Sequence, residues 1–213
     1  MKYITFTDLK NMTLAAKNEL WSSAGMLDRE PKIYLHYTAG HYAYGDESQM
    51  YLDHYHIAID QDGKMYNEYS LDTVLQHTWR RNTGAIGLTL TCGYNSGSNS
   101  LGPEPNTAAQ IETMAKAISI IADALGITID KNHVMTHGEA ANNEDGDWSC
   151  HNPYSWWNDS YEDGDTRGDL EFLGTSESPR YNPYATDGSR GGDVLRGKAN
   201  WYLNNMRKKG ADI

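Results

Sequence analysis

The pattern of apolar and polar positions predicts several short strands along the chain. Apolar, β-branched or aromatic runs bounded by Gly, Pro or turn residues are typical of strands. Such runs occur as KIYLHYT, as YHIAID followed by the Asp62-Gly63 turn and a second strand from Lys64, as AIGLTLTCG, and as HVMTH. The run AIGLTLTCG is apolar almost throughout, which favours a central strand that is buried on both faces.

Helical spacing of apolar residues predicts two helices between these strands. The clearer one begins at a capping box formed by Thr107 and Gln110 and ends at Gly126. Its apolar residues form one stripe: Ile111, Met114, Ala115, Ile118, Ala122 and Leu125. A shorter helix is predicted over about residues 13–21, where the helical spacing is less regular.

The last part of the chain combines an irregular segment with a final helix. A stretch rich in Asn, Asp, Gly and Ser runs over residues 138–190, and loops of this length are usually functional or disordered. A helix is predicted from Asp193 to Lys209. Strands interleaved with helices predict an α/β fold: a central mixed β-sheet packed by helices, with a long irregular insertion before the C-terminal helix.

Length, charge and composition exclude several classes of protein. A chain of 213 residues is expected to form a single domain over residues 1–213. The net charge of −11 opposes nucleic-acid binding. No stretch approaches the roughly 20 apolar residues that cross a bilayer, so no membrane insertion is expected. The N-terminal segment carries polar residues where an export signal needs an apolar run, so no signal peptide is predicted.

Two histidines lie where predicted strands end. His36 closes KIYLHYT just before Gly40, and His137 closes HVMTH just before Gly138. A lone strand histidine is more often a hydrogen-bonded core residue. Because strand ends in a parallel or mixed sheet can meet at one edge, this pair instead suggests the start of a zinc site. A catalytic zinc also needs a third protein ligand. The downstream candidates are Cys150, His151, Asp163, Asp165 and Asp169.

The order of several motifs resembles that of a known family. KIYLHYTAG, YHIAIDQDG, QHTWRRNTGAIGLTL, the capped helix, VMTHGEA and DTRGDLEFL follow one another as in the zinc-dependent N-acetylmuramoyl-L-alanine amidases. This superfamily includes phage endolysins and the peptidoglycan-recognition proteins. The resemblance covers roughly residues 31–173, the expected core of the domain. It implies an amidase-like fold, a bound Zn²⁺ ion, and hydrolysis of the amide bond between N-acetylmuramic acid and L-alanine in peptidoglycan.

The resemblance also implies a role for individual residues at the metal. The first two zinc histidines of the family correspond to His36 and His137. The third ligand of the family lies two residues after a basic residue, a spacing that Arg167 and Asp169 match. Asp169 is therefore the expected third ligand, and Arg167 the counterpart of the catalytic lysine of the family. Because the preceding stretch is longer than in compact members, four alternative ligands stay open: Cys150, His151, Asp163 and Asp165.

Further positions are implied for catalysis and substrate binding. The tyrosine before the histidine in the YHF-type strand of the family corresponds to Tyr55. Some branches use a glutamate instead, but Thr89 occupies that position here, so the resemblance implies the active-site role for Tyr55. A phenol with a pKa of about 10 suits a hydrogen bond to the nucleophilic water or to the developing oxyanion. His77 matches the histidine of an HAxGxN-like segment, so that His77, Trp79 and Asn82 are expected to line the substrate groove.

Other polar residues are expected to lie outside the chemistry. Glu139 is expected to be a solvated loop residue, although a role as proton shuttle is open. The acidic run NNEDGD, residues 142–147, lacks the full spacing of a calcium loop and is predicted to be solvated. The remaining histidines near these motifs are expected to be bystanders: His41, His54, His56 and His133.

Three functions are compatible with these motifs. The favoured one is a zinc amidase of the phage or prophage endolysin type, a monomer made in the host cytoplasm that acts on the cell wall after release. The second is a peptidoglycan-binding module of the same fold, whose family members typically lack the third ligand. The third is a metallopeptidase that cuts within the stem peptide. Asp169 discriminates the first function from the second.

Overall fold

The structure, a computed structural model, describes residues 1–97, 99–147 and 169–209. Within these residues the chain forms six strands: β1 (Lys2–Ile4), β2 (Lys32–Tyr37), β3 (Ile57–Ile59), β4 (Met65–Asn67), β5 (Ala85–Leu90) and β6 (Val134–Thr136). It also forms four helices: α1 (Phe6–Gly25), α2 (Ala108–Leu125), α3 (His137–Ala141) and α4 (Gly191–Lys209). A short 3₁₀ helix, Glu47–Gln49, lies between β2 and β3.

The six strands form one mixed sheet in the order β1-β4-β3-β5-β2-β6. β4 runs antiparallel to β1 and to β3, whereas β3, β5, β2 and β6 run parallel to one another. β2 lies between β5 and β6, so the carboxyl ends of three parallel strands meet at the same edge. This architecture confirms the predicted α/β fold with a central mixed sheet.

The two faces of the sheet have different coverings. Ile33 and Leu35 of β2 belong to the large apolar cluster that includes residues of α1, α2 and α4. α2 packs against both α1 and α4, so these helices cover one face. Tyr34 belongs to a separate cluster with Met135, because successive strand residues point to opposite faces. His36 alternates with Leu35 and therefore faces away from the three helices.

The helices match the prediction best where a local capping signal is strong. α2 follows the capping box at Thr107 and ends at Gly126, whose φ of 82° suits glycine. α1 is longer than the predicted 13–21, because its true start is a second capping box, formed by Thr5 and Asp8. β1 was not predicted, since an edge strand of three residues depends on its pairing with β4.

The region predicted to be an irregular insertion differs at both of its ends. α3 occupies residues 137–141, and α4 begins at Gly191, two residues before the predicted start. Residues 148–168 of the insertion lie outside the described part of the chain. None of the helices in the described ranges combines the length and apolar character that crossing a membrane requires.

Candidate metal centre

The structure brings His36 and His137 together at one edge of the sheet. β2 and β6 are parallel neighbours, with Leu35 opposite Thr136, so their carboxyl ends lie side by side. The two imidazole rings are 4.9 Å apart between centroids. His137 does not close β6, as the sequence predicted, but begins α3 one residue later. The predicted convergence of the two histidines nevertheless occurs, because Thr136 ends the strand directly before it.

Asp169 completes a cluster with these two histidines. Its Oδ2 atom is 3.5 Å from Nδ1 of His36 and 3.6 Å from Nδ1 of His137. All three possible ligand atoms lie within 4.8 Å of one another. Two ligands that each lie about 2.0–2.1 Å from a tetrahedral ion are about 3.4 Å apart. The spacing of this donor set therefore suits a zinc ion, and two imidazoles with one carboxylate are common zinc ligands.

Burial and charge prepare the cluster for a cation. The His36 side chain is fully buried, and Asp169 is 7% exposed, whereas His137 keeps 17% of its side-chain surface exposed. Burial raises the pKa of the Asp169 carboxyl, but hydrogen bonds and charge from His137 and His36 outweigh it and hold that pKa below its usual value. Asp169 is thus an ionised carboxylate, and the site is open towards solvent beside His137.

Tyr55 lies against the cluster. Its ring centroid is 5.0 Å from that of His36, with an angle of 46° between the planes. β3 begins only at Ile57, so Tyr55 lies in the connection before the strand. The alternation of side chains between the two faces of a strand therefore does not apply to Tyr55. Its phenol is therefore close to the imidazole that would carry the metal.

His56 has a structural position, because both of its ring nitrogens bond to the backbone. Its Nδ1 accepts a hydrogen bond from the Gly87 backbone N–H (3.0 Å), and its Nε2 donates to the Thr73 carbonyl (2.8 Å). Burial lowers the pKa of the imidazole to about 4. Both ring nitrogens of this neutral histidine are used, so it has none left for a metal.

The residues expected to line the substrate groove differ in their exposure to solvent. Trp79 is 46% exposed and accessible to a ligand. His77 is only 7% exposed. Burial is the main reason why its pKa lies well below the ordinary value, and the charges of the neighbouring histidines lower that pKa further. The Asn82 side chain accepts hydrogen bonds from the backbone N–H groups of His77 and Thr78. His77 and Asn82 therefore have intramolecular contacts where the sequence suggested contacts with a substrate.

The acidic run at residues 142–147 is not simply a solvated loop, which corrects the expectation for it. The Asp145 side chain is fully buried and accepts two hydrogen bonds from the Arg81 guanidinium, at 2.8 and 3.2 Å. Lys32 of β2 lies 3.1 Å from the same carboxylate. The loop is thereby attached to β2 and to the turn that contains Arg81. Asp145 already has two cationic side-chain partners, which disfavours a calcium ion at this position.

A second buried network connects the two metal-facing segments with α4. Glu139 is fully buried and bonded by both oxygens to Arg196, at 2.7 and 2.8 Å. The expectation that Glu139 is a solvated loop residue is therefore wrong. Thr136 donates its hydroxyl hydrogen to Glu171, which is paired with Arg190 through two more hydrogen bonds. These pairs link the segments that carry His137 and Asp169 to the start of α4.

Several residues of these networks were missed at the sequence level. One signal was available: Thr136 and Glu139 form a capping box with the T-x-x-E spacing, which predicts a helix start at His137. Arg81 and Asp145 are 64 positions apart, and no local pattern connects them.

The remaining predicted positions are histidines with acidic partners and residues that the structure does not describe. His41 pairs with Glu104, His54 with Asp53, and His133 with Asp130 and Glu30, and these pairs are not part of the metal cluster. Five residues considered for the site lie outside the described ranges: Arg167, Cys150, His151, Asp163 and Asp165.

The fold and the cluster define an α/β protein with a candidate metal centre at the carboxyl edge of its sheet. Comparison with protein families gives a match to the model described as N-acetylmuramoyl-L-alanine amidase over residues 29–153, more than half of the chain. The chain belongs to the N-acetylmuramoyl-L-alanine amidase family. The matched region includes His36 and His137 and ends before Asp169.

Two solved structures are similar to this chain. They are the endolysin N-acetylmuramoyl-L-alanine amidase LysCS and the N-acetylmuramoyl-L-alanine amidase LysC, both from Clostridium intestinale URNW. Each is 18% identical with a TM-score of 0.40, over 52% of this chain and over 70% and 72% of their own chains, respectively. A comparison with curated proteins gives no match.

Proposed function

We propose that this protein is a zinc-dependent peptidoglycan amidase that hydrolyses the bond between N-acetylmuramic acid and the L-alanine of the stem peptide. The observation that carries the proposal is the convergence of His36, His137 and Asp169, with separations of 3.5 and 3.6 Å from the carboxylate oxygen to the two Nδ1 atoms. Membership of the amidase family supports the reaction class.

The three residues would hold the ion through two nitrogens and one oxygen. When bound, zinc supplies a Lewis acid that lowers the pKa of water from 15.7 towards about 7 and polarises an amide carbonyl. Asp169 contributes the single negative charge of the set, so the site keeps a net positive charge. The partly exposed side of His137 leaves an approach for water and for the substrate amide.

Tyr55 and Arg167 are proposed to act on the reacting groups. The phenol of Tyr55, beside His36, has the hydrogen-bond donor needed to stabilise negative charge on the amide oxygen. Arg167 cannot lose its proton at neutral pH, so we assign it the same electrostatic role. The exposed indole of Trp79 offers a surface for the sugar or the peptide. We further propose that residues 1–213 form one amidase domain, and that the protein is a monomeric endolysin that acts on the cell wall after release. This proposal rests on the family resemblance.

The proposal is tested by metal content and product analysis of the wild type and of Asp169→Asn. We expect near-stoichiometric zinc in the wild type, and stem peptides with free N-terminal L-alanine from purified peptidoglycan. Asp169→Asn should lose zinc and at least about 100-fold in activity, since loss of outer contacts alone typically costs 10–100-fold. Asp123→Asn, which changes an exposed aspartate of α2 paired with Arg207, is the matched control and should behave as wild type.

Each alternative function predicts a different result. A peptidoglycan-binding module would bind the wall and release no peptide. A stem-peptide metallopeptidase would release fragments with a different N-terminus, which mass spectrometry distinguishes from L-alanine. If Asp169→Asn keeps both zinc and activity, the third ligand is another residue of the chain.

A further inference from the structure

The turn at residues 77–82 lies against His36. The Oδ1 atom of Asn82 accepts hydrogen bonds from the backbone N–H of His77 (3.1 Å) and of Thr78 (2.7 Å). The Arg81 N–H donates to the Thr78 carbonyl (3.0 Å), and the Ala85 N–H to the Asn82 carbonyl (3.3 Å). The turn is thus closed by its own hydrogen bonds and continues directly into β5.

Thr78 joins two imidazoles through one hydroxyl group. Its Oγ1 atom is 3.3 Å from Nε2 of His36 and 2.9 Å from Nδ1 of His77. Thr78 is 2% exposed and His77 7% exposed, so water has little access to these atoms. Within the described residues, the Thr78 hydroxyl has these two ring nitrogens as its hydrogen-bond partners.

The position of the possible ligand atom fixes the direction of the hydrogen bond between His36 and Thr78. Nδ1 of His36 faces Asp169 and would bind the metal, so the proton of this neutral imidazole must reside on Nε2. Nε2 then donates to Thr78 Oγ1. A hydroxyl has one hydrogen, and the Thr78 hydroxyl can donate it to Nδ1 of His77. Each of these two hydrogen bonds then joins one donor to one acceptor. The proton of neutral His77 resides on its Nε2 atom, which is buried and has no hydrogen-bond partner among the described residues.

The ring of His77 is held by its packing. A Cβ atom at Gly87 would lie 2.8 Å from the ring, so the imidazole rests directly on the backbone of β5. The rings of His36 and His56 contact it edge-on, with centroids at 5.3 and 5.7 Å. His56 is itself fixed by hydrogen bonds at both ring nitrogens. His77 cannot turn away from Thr78 without displacing these neighbours.

We infer that Thr78 is a positioning residue, which orients His36 so that Nδ1 points at the metal, and that His77 orients the Thr78 hydroxyl in turn. This inference rests on the proposed metal site. The sequence predicted that His77 and Asn82 line the substrate groove. Here they instead hold Thr78 and, through it, the metal ligand His36. The HAxGxN-like motif has alanine at the position of Thr78, so the hydroxyl is a departure of this chain from that motif. Partners of this kind typically contribute 10–100-fold to metal affinity.

The test compares the zinc affinity of three variants by competition with a chelator. Thr78→Val replaces the hydroxyl by a methyl group of similar size, and zinc binding should weaken by about 10–100-fold. Thr78→Ser keeps the hydroxyl and should restore affinity close to that of the wild type. Thr89→Val is the matched control: Thr89 pairs with His36 across β2 and β5, and its buried Oγ1 has no hydrogen-bond partner among the described residues. Its removal should leave the affinity unchanged.

A spectroscopic measurement supplements the affinities. In the zinc-loaded wild type, nitrogen NMR of the imidazoles should find the His36 proton on Nε2, slow to exchange with solvent. In Thr78→Val that proton should exchange faster. Thermal unfolding of each metal-free variant verifies that it is folded.

The outcomes separate this inference from the proposed function. If the wild type binds zinc and Thr78→Val binds it equally well, the positioning role is wrong while the metal site stands. If Thr78→Val and Thr89→Val weaken zinc binding equally, the effect comes from disturbed packing, and the role assigned to the hydroxyl is again wrong. If the wild type binds no zinc, the metal site and the inference both fail.

Discussion

Individual side chains at the sheet edge derive their roles from the contacts that surround them. His36, His56 and His77 are all buried imidazoles, yet their ring nitrogens face different partners. His56 uses both nitrogens in bonds to the backbone, His77 contacts Thr78, and His36 directs Nδ1 towards Asp169. The residue type is the same in each case, and the hydrogen-bond partners decide which histidine is available to a metal.

The hydroxyl group of Tyr55 is predicted to contribute to turnover. Tyr55→Phe removes the phenol hydroxyl beside His36 while keeping the ring in place. Loss of one donor to a developing oxyanion typically lowers kcat by about 10²–10³-fold. We therefore expect turnover of peptidoglycan fragments to fall by about this factor, with zinc content unchanged.

The control for Tyr55 is a tyrosine at the far edge of the sheet. Tyr3→Phe in β1 changes a half-exposed ring that contacts Tyr66, and should keep wild-type turnover. Wild-type kcat in Tyr55→Phe would remove Tyr55 from the proposed chemistry. Zinc loss in that variant would instead indicate a role in holding the ligands.

At the scale of elements, buried ion pairs fix loops to the sheet and helices. Gly191 and Gly192 begin α4 where a side chain cannot fit, because a Cβ atom at Gly191 would clash with the Leu170 carbonyl oxygen and one at Gly192 would lie 2.7 Å from the Glu139 carboxylate. This close approach lets Arg196 reach Glu139. The position of the segment after residue 168 is therefore coupled to the position of α4.

The buried pair of Asp145 and Arg81 is predicted to stabilise the fold. Asp145→Asn leaves the Arg81 guanidinium without its counter-charge, and should lower the free energy of unfolding at pH 7 by about 3–5 kcal/mol. Burial raises the pKa of Asp145, but the hydrogen bonds and charge of Arg81, with the charge of Lys32, outweigh it and hold the pKa below the usual value. The ionised form is therefore favoured by folding.

The sign of the pH dependence follows from this lowered pKa. The contribution of the carboxylate is present above the unfolded-state pKa of about 3.9, and is lost as the pH falls through the lower folded-state value. Urea unfolding at several pH values should find that wild type and variant differ most at pH 6–7, on the order of the figure above. The difference should begin to shrink as the pH falls below about 4, and the two should converge only below the folded-state pKa of Asp145. Asp123→Asn, in an exposed pair, should change little at any pH. A constant difference down to low pH would contradict the buried ion pair.

At the scale of the whole molecule, the candidate metal would join three separate parts of the chain. His36 ends β2, His137 begins α3, and Asp169 precedes the segment that leads to α4. An ion that binds only the folded state stabilises it by mass action. The helices α1, α2 and α4 cover the opposite face of the sheet, so the ion adds a connection on the face that lacks them.

Zinc binding is predicted to raise the melting temperature. At a zinc concentration of 100 times Kd, the free energy of unfolding rises by about 2.7 kcal/mol, which for a chain of this size corresponds to about 5–10 °C. A chelator should reverse the shift. Asp169→Asn should abolish most of it, and Mg²⁺, which prefers oxygen ligands, should not reproduce it. An equal shift in Asp169→Asn would indicate that zinc binds elsewhere, for example at His133 between Asp130 and Glu30.

What could be predicted from the sequence follows the range of the interactions involved. The bounds of α2, the β3–β4 hairpin at Gly63 and the buried strand β5 depend on caps, turns and alternation within a few residues, and these predictions are confirmed. β1 and α3 were missed. The first depends on pairing with a distant strand, and the second begins at a capping box that was not recognised.

Local patterns and motifs along the chain predicted the α/β fold and the amidase family, and they indicated His36, His137 and Asp169 as a possible ligand set. Only the tertiary structure decided that their ligand atoms lie within 4.8 Å of one another, and that Glu139 and Asp145 are buried in ion pairs. It also decided that His77 and Asn82 contact other residues of the chain at the turn beside His36. The reason is physical: burial and hydrogen-bond partners depend on residues distant in sequence, whereas periodicity and motifs are local.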